Sequence, residues 1–115
     1  MQQFRAAVEA DDLQAIPALL AEDVVFHSPV AFAPYEGREL VAAILRGAGR
    51  AFENFRYERE IGNPSGRDHA LLFKARVGDR EVHGCDFLRV DGDGLIDELV
   101  VMERPLSAAL ALSRR

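Results

Sequence analysis

A single cysteine, Cys85, excludes an intrachain disulfide, so the fold must rest on an apolar core and the expected setting is a reducing cytoplasm. No apolar run reaches the roughly 18 residues that a membrane-crossing helix needs. The opening Met1-Gln2-Gln3-Phe4-Arg5 also lacks the apolar stretch of a signal peptide. Positive charge is in short supply: 14 basic residues against 19 acidic ones give a net charge of −5. With no basic stripe studded by aromatics, neither nucleic acid nor an anionic membrane is an expected partner. Repeats, low-complexity tracts and Gly/Ser linkers are missing as well, which leaves residues 1–115 as one domain. The glycines mark turns and form neither a phosphate-cradling loop nor a nucleophile elbow. His27, His69 and His83 fall on separate predicted strands, and His83 and Asp86 face opposite sides of theirs. No metal and no cofactor is therefore expected.

What is present suits an ordinary globular domain, with 49% hydrophobic residues in 115. Residues 3–20 carry apolar side chains at helical spacing (Phe4, Ala7, Val8, then Ile16, Leu19, Leu20), interrupted at Asp11-Asp12. Asp12 is a candidate N-cap for a second short helix that Pro17 keeps short or bent. Val24-Val25-Phe26-His27 reads as a short strand closed by Ser28-Pro29. Residues 37–52 form the clearest helix, with Leu40, Val41, Ile44, Leu45, Ala48 and Phe52 on one stripe. Strands are predicted at 54–61, 68–77, 80–90 and 95–103, separated by turn signatures of which Asp91-Gly92-Asp93-Gly94 is the strongest. Pro105 should open a short C-terminal helix that frays at Arg114-Arg115. Helices set apart from an antiparallel meander give an α+β class.

Two stretches carry a resemblance. Ala21-Glu22-Asp23-Val24-Val25-Phe26-His27-Ser28-Pro29-Val30 with Pro34-Tyr35-Glu36-Gly37-Arg38-Glu39, and Asp86-Phe87-Leu88-Arg89-Val90-Asp91 with Gly94-Leu95-Ile96, resemble the nuclear transport factor 2-like superfamily. Within it the chain is most similar to the SnoaL-like polyketide cyclases and ketosteroid isomerases. The resemblance implies a cone-shaped fold, with N-terminal helices packed on a strongly curved antiparallel sheet around an apolar pocket. It also implies an oxyanion-stabilising aspartic acid at Asp86, kept neutral by an apolar site. The isomerase's basic aspartate, however, corresponds to Ser28, its oxyanion tyrosine to Phe4, and two supporting tyrosines to Leu20 and Leu45. A serine without an adjacent base cannot take a carbon-bound proton at neutral pH, and Phe4 offers no hydrogen bond. The isomerase mechanism itself is therefore not expected.

The expected pocket is lined by Phe4, Leu20, Ser28, Tyr35, Leu45, Val82, Leu88 and Val101. Strand alternation puts Asp86 on the face of Val82, Leu88 and Val90, where a carboxylate needs a partner or a raised pKa. Glu103 falls on the pocket face of the last strand, and His27 at the pocket mouth. Asp86 is thus the candidate acid or hydrogen-bond donor, and His27 or Glu103 the candidate proton acceptor. The ligand should be a small apolar, ring-containing molecule, with cofactor-free isomerase, cyclase or hydrolase chemistry as one outcome and non-catalytic binding or an interaction module as the other. On the opposite face, Cys85, Phe87, Ile96, Val100 and Met102 make an apolar strip that implies burial against a second subunit or the C-terminal segment, and the resemblance, whose members commonly pair through this sheet, makes a homodimer the expected assembly.

Overall fold

The computed structural model describes residues 2–113; the expected fraying at Arg114-Arg115 lies outside the described residues. The chain runs α1 (Gln2–Glu9), β1 (Leu20–His27), β2 (Tyr35–Glu36), α2 (Arg38–Ala51), β3 (Glu53–Ile61), β4 (Asp68–Val77), β5 (Arg80–Val90), β6 (Ile96–Arg104) and α3 (Leu106–Ser113). The six strands form one curved, unclosed sheet in the order β2-β1-β6-β5-β4-β3. β3 to β6 are an antiparallel meander, as the turn signatures imply. β1 adds to it in parallel against β6, so the sheet is mixed at that position.

The polar periodicity of β4 shows why the sheet has a buried side. His69, Leu71, Phe73, Ala75 and Val77 are all buried, and the residues between them are more open. This period of two turns one face toward the helices. Phe4 of α1, Val41 of α2 and Ala108 of α3 join that inner face in one core cluster with Val24, Leu71, Val82, Leu88 and Leu99. The β5–β6 turn is held by the Asp91 carboxylate, which accepts from the backbone N–H of Asp93 (2.9 Å) and of Leu95 (3.0 Å). Gly94 takes the left-handed conformation there (φ 80°), which costs glycine nothing.

Several elements depart from the sequence reading. The helix ends at Glu9, and two 3-10 turns, Leu13–Ala15 and Pro17–Leu19, stand where a second helix was expected. The Asp12 side chain makes no capping hydrogen bond, and Pro17 denies the backbone the donor an α-helix would use. Leu20 is consequently the first residue of β1, not the last of a helix. Leu40 is exposed, so the buried stripe of α2 begins at Val41.

Strict alternation in the sequence puts Phe55, Tyr57 and Ile61 on one face of β3 and Ile96 on the outer face of β6, and two bulges reverse it. Tyr57 pairs with Phe73 but Arg59 pairs with Leu72, so one extra residue turns Ile61 to the outer face while Phe55 and Tyr57 stay inside. Likewise Arg89 pairs with Glu98 but Val90 with Ile96, which swings Ile96 into the core at 1% exposure. Ile96 therefore does not belong to the outer strip.

Candidate functional site

A cavity of about 980 Å³ lies between the inner face of the sheet and α1, the 3-10 turns and α2. Its floor is set by strand register. Tyr57, Phe73, Gly84 and Glu103 are cross-strand partners in one row from β3 to β6. Leu71, Asp86 and Val101 form the next row. Gly84 leaves a gap in the first row, and the Phe73 ring lies across it, so that any Cβ at position 84 would overlap the ring. Phe52, Phe55, Tyr57 and Phe73 pack ring to ring along this wall, with Phe55 stacked on Phe73 at 4.7 Å between centroids.

Asp86 is buried on this floor, and the Tyr57 hydroxyl donates to its Oδ2 at 2.6 Å. Tyr57 is itself held at several points. The Glu9 carboxylate accepts from its backbone N–H at 3.3 Å, and Arg5 of α1, paired with Glu9 and Glu60, donates to its carbonyl at 3.4 Å. The Arg5 guanidinium also sits over the ring, 5.9 Å from its centroid. Docking of α1 on β3 thus fixes the ring whose hydroxyl reaches two strands across the sheet.

Burial pushes the Asp86 carboxyl up to about 6, and the Tyr57 hydrogen bond pulls in the opposite direction. Burial, followed by the charge of Asp86, raises the Tyr57 hydroxyl as well. Glu103 is raised to about 7, first by burial and then by the neighbouring Asp86. Its Oε2 is buried and, among the described residues, has no hydrogen-bond partner. Two carboxyls in one apolar cavity, with raised and similar pKa values, can pass a proton to and from a bound molecule near neutral pH.

The residues singled out in the sequence separate into two groups. Phe4, Ser28, Tyr35, Leu45, Val101, Asp86 and Glu103 all line the cavity. Leu20, Val82 and Leu88 do not; they are buried in the core, at 0%, 0% and 2% exposure, beneath or beside the floor. Leu20 is withdrawn because β1 begins there, and its backbone carbonyl accepts from Arg38 at 3.0 Å. His27 turns to the outer face, where its Nε2 lies 3.8 Å from the Glu98 carboxylate, and Ser28 takes the inner side. His69 is a turn staple: its Nε2 donates to the Gly66 carbonyl at 2.8 Å. Among the described residues no three His, Cys, Asp or Glu side chains gather as a metal site, and no helix is long and apolar enough to cross a membrane.

Sequence reasoning missed Tyr57 as a site residue. The signal was present, because a tyrosine on the apolar face of a strand needs a partner for its hydroxyl. Its partner, 29 residues away in sequence, became identifiable only from the register.

Comparison with known proteins agrees with this architecture. Residues 1–99 match the SnoaL-like domain family. A steroid delta-isomerase from Pseudomonas aeruginosa is 41% identical and superimposes with a TM-score of 0.93, covering 98% of this chain and 82% of that one. An uncharacterised bacterial protein with a cystatin-like fold from Silicibacter pomeroyi is 38% identical with a TM-score of 0.90, covering 96% of this chain and 77% of that one. A nuclear transport factor 2-like protein of unknown function from Mesorhizobium loti shares the fold at 22% identity, with a TM-score of 0.80 and coverage of 91% and 88%. No curated protein sequence matches the chain.

Proposed function

The chain belongs to the SnoaL-like domain family, and from that premise we propose that its cavity takes up a small, largely apolar, ring-containing molecule and presents Asp86 and Glu103 to the molecule's polar group as an acid/base pair. The observation that carries this reading is the buried Tyr57–Asp86 hydrogen bond on the cavity floor. A polar pair is costly to bury, and here it stands among aromatic walls beside a second carboxyl with no partner. The chemistry needs no cofactor, since proton transfer uses the two carboxyls alone.

The steroid delta-isomerase among the relatives makes double-bond migration in an unsaturated oxo-steroid the first activity to assay, by ultraviolet absorbance. Ser28 occupies the position that holds the base in the resembled isomerases. Turnover would therefore have to depend on Asp86 and Glu103, and Asp86→Asn or Glu103→Gln should each reduce it at least tenfold. Binding without turnover is the second reading. It is favoured by Phe4 and Leu45, which put apolar side chains on the cavity wall where those enzymes place hydroxyls.

A thermal-shift screen with steroids, polyketide-like aromatics and terpenoid epoxides tests the shared part of both readings. At least one class should raise the Tm. Leu45→Trp, which fills the cavity, should abolish that rise and leave the far-UV circular dichroism unchanged. Silence from every class would remove the proposal.

A further inference from the structure

The two carboxyls are not equivalent, and the difference assigns them roles. Asp86 receives a hydrogen bond from Tyr57, at a distance typical of a hydroxyl bound to a charged oxygen. Among the described residues Glu103 receives none at its buried Oε2. Leaving a carboxylate oxygen that is shut off from water without a donor is more costly than leaving a neutral carboxyl so, because the charge loses hydration on that side and gains nothing in exchange. The charged form is therefore best placed on Asp86 and the neutral form on Glu103.

The surroundings preserve that asymmetry. The other charged groups on the cavity wall are Glu9, Asp11 and Asp12 on or just after α1, and Arg46 and Arg50 on α2; β2 adds the Tyr35 hydroxyl. Among the described residues none of these hydrogen-bonds either carboxyl. On the far side of the sheet His83 is engaged by Arg104 (3.3 Å) and His27 lies by Glu98 (3.8 Å), so neither reaches the pair. Among the described residues Tyr57 is the one side chain that donates to the pair, and Arg5 and Glu9 hold it against β3, in reach of Asp86.

We propose that the site rests with the proton on Glu103 and the charge on Asp86, and that the Glu103 O–H is an unspent donor for a neutral ligand carrying an acceptor oxygen, such as a ketone, ether or epoxide. This rests on the small-molecule reading above and names the chemical class of its occupant. It also reverses the assignment implied by the sequence resemblance, in which the residue at Asp86 is the neutral acid. No proton leaves the protein in the binding step; Glu103 donates a hydrogen bond, and Asp86 remains the carboxylate able to accept a proton from the ligand or from water.

Carboxyl-carbon NMR of the unliganded protein from pH 4 to 9 tests the proton assignment without any ligand. Asp86 should ionise at the lower pH and Glu103 at the higher. Asp86→Asn should lower the Glu103 midpoint, and Tyr57→Phe should raise that of Asp86. A wild-type titration in which Asp86 keeps its proton to higher pH than Glu103 overturns the proposal.

The ligand class is read with three probes of matched shape: acetylnaphthalene, isopropylnaphthalene and naphthylethylammonium. At pH 6 the ketone should bind about tenfold more tightly than the hydrocarbon, the factor expected of one added hydrogen bond. That preference should fade as Glu103 ionises. Glu103→Gln, whose amide still donates, should retain the preference and lose its pH dependence, and Glu103→Met should abolish it. Tightest binding of the ammonium would overturn the proposal. Silence from all three probes, with the titration order as expected, would defeat the small-molecule reading and leave the proton assignment standing.

Discussion

At the scale of single residues, the buried Asp86 and the half-buried Glu103 couple stability to pH. Asp86 moves from 3.8 to about 6 and Glu103 from 4.5 to about 7. Both folded values lie above the unfolded ones, so between about pH 4 and 7 the folded chain binds more protons than the unfolded chain. Stability should therefore fall as pH rises through that window. For Asp86 the loss is on the order of 2–3 kcal/mol. Asp86→Asn should flatten the pH dependence of urea unfolding and make the protein more stable than wild type at pH 8. Tyr57→Phe should do the opposite. It strands a charged Asp86 at pH 8 at a cost of about 1.5–3 kcal/mol, with a smaller cost at pH 5, where the carboxyl is protonated. Equal losses at both pH values would show that the hydroxyl does not serve the charge.

At the scale of elements, the site depends on strand register and on two irregularities in it. The row Tyr57–Phe73–Gly84–Glu103 exists only because β3, β4, β5 and β6 are in this register, and Gly84 is the member that lets Phe73 lie flat over β5. A Cβ at position 84 would overlap the Phe73 ring and approach the Met102 carbonyl oxygen to 2.9 Å. Gly84→Ala should destabilise the fold by about 1–3 kcal/mol. Most of that loss should return in the double variant with Phe73→Leu, because the two changes meet in one contact. Additive losses in a denaturant double-mutant cycle would place the strain at Met102 instead. Alternation in β4 is unbroken along the strand. In β3 and β6 a bulge shifts the pattern, so Ile61 and Ile96 ended on the faces opposite to those their spacing suggested.

At the scale of the whole molecule, the outer face of the sheet still presents Phe87 and Met102 at 43% and 59% exposure, beside half-buried Cys85 and Val100. Removal of Ile96 narrows this strip without interrupting it. An apolar strip on the open side of an antiparallel sheet is a face to be covered, and a second copy of the chain is the proposed partner. Native mass spectrometry at micromolar concentration should find a dimer, and Met102→Glu with Val100→Lys should yield a folded monomer. A wild-type monomer would remove this proposal and leave the cavity untouched, since the two lie on opposite faces.

How far the sequence reached follows from the range of the forces involved. Alternation, turn chemistry and the stripe of α2 are local, so the α+β class, the four-strand meander and the inward side of Asp86, Glu103 and Val101 could be read from one stretch of chain at a time. The resemblance added the direction in which those elements close. The pairing of Tyr57 with Asp86, the withdrawal of Leu20, Val82 and Leu88 into the core, and the outward turn of His27 could not be read this way. Each depends on register, on a bulge, or on where a helix gives way to a strand, and these are settled by which arrangement buries the most apolar surface while leaving few buried polar groups without a partner. The sequence by itself determined a domain of helices over a curved sheet, with an acid on its inner face. Only the tertiary structure decided which tyrosine meets that acid and which carboxyl is left without a donor, because a hydrogen bond between residues 29 positions apart exists only once the strands between them have been set side by side.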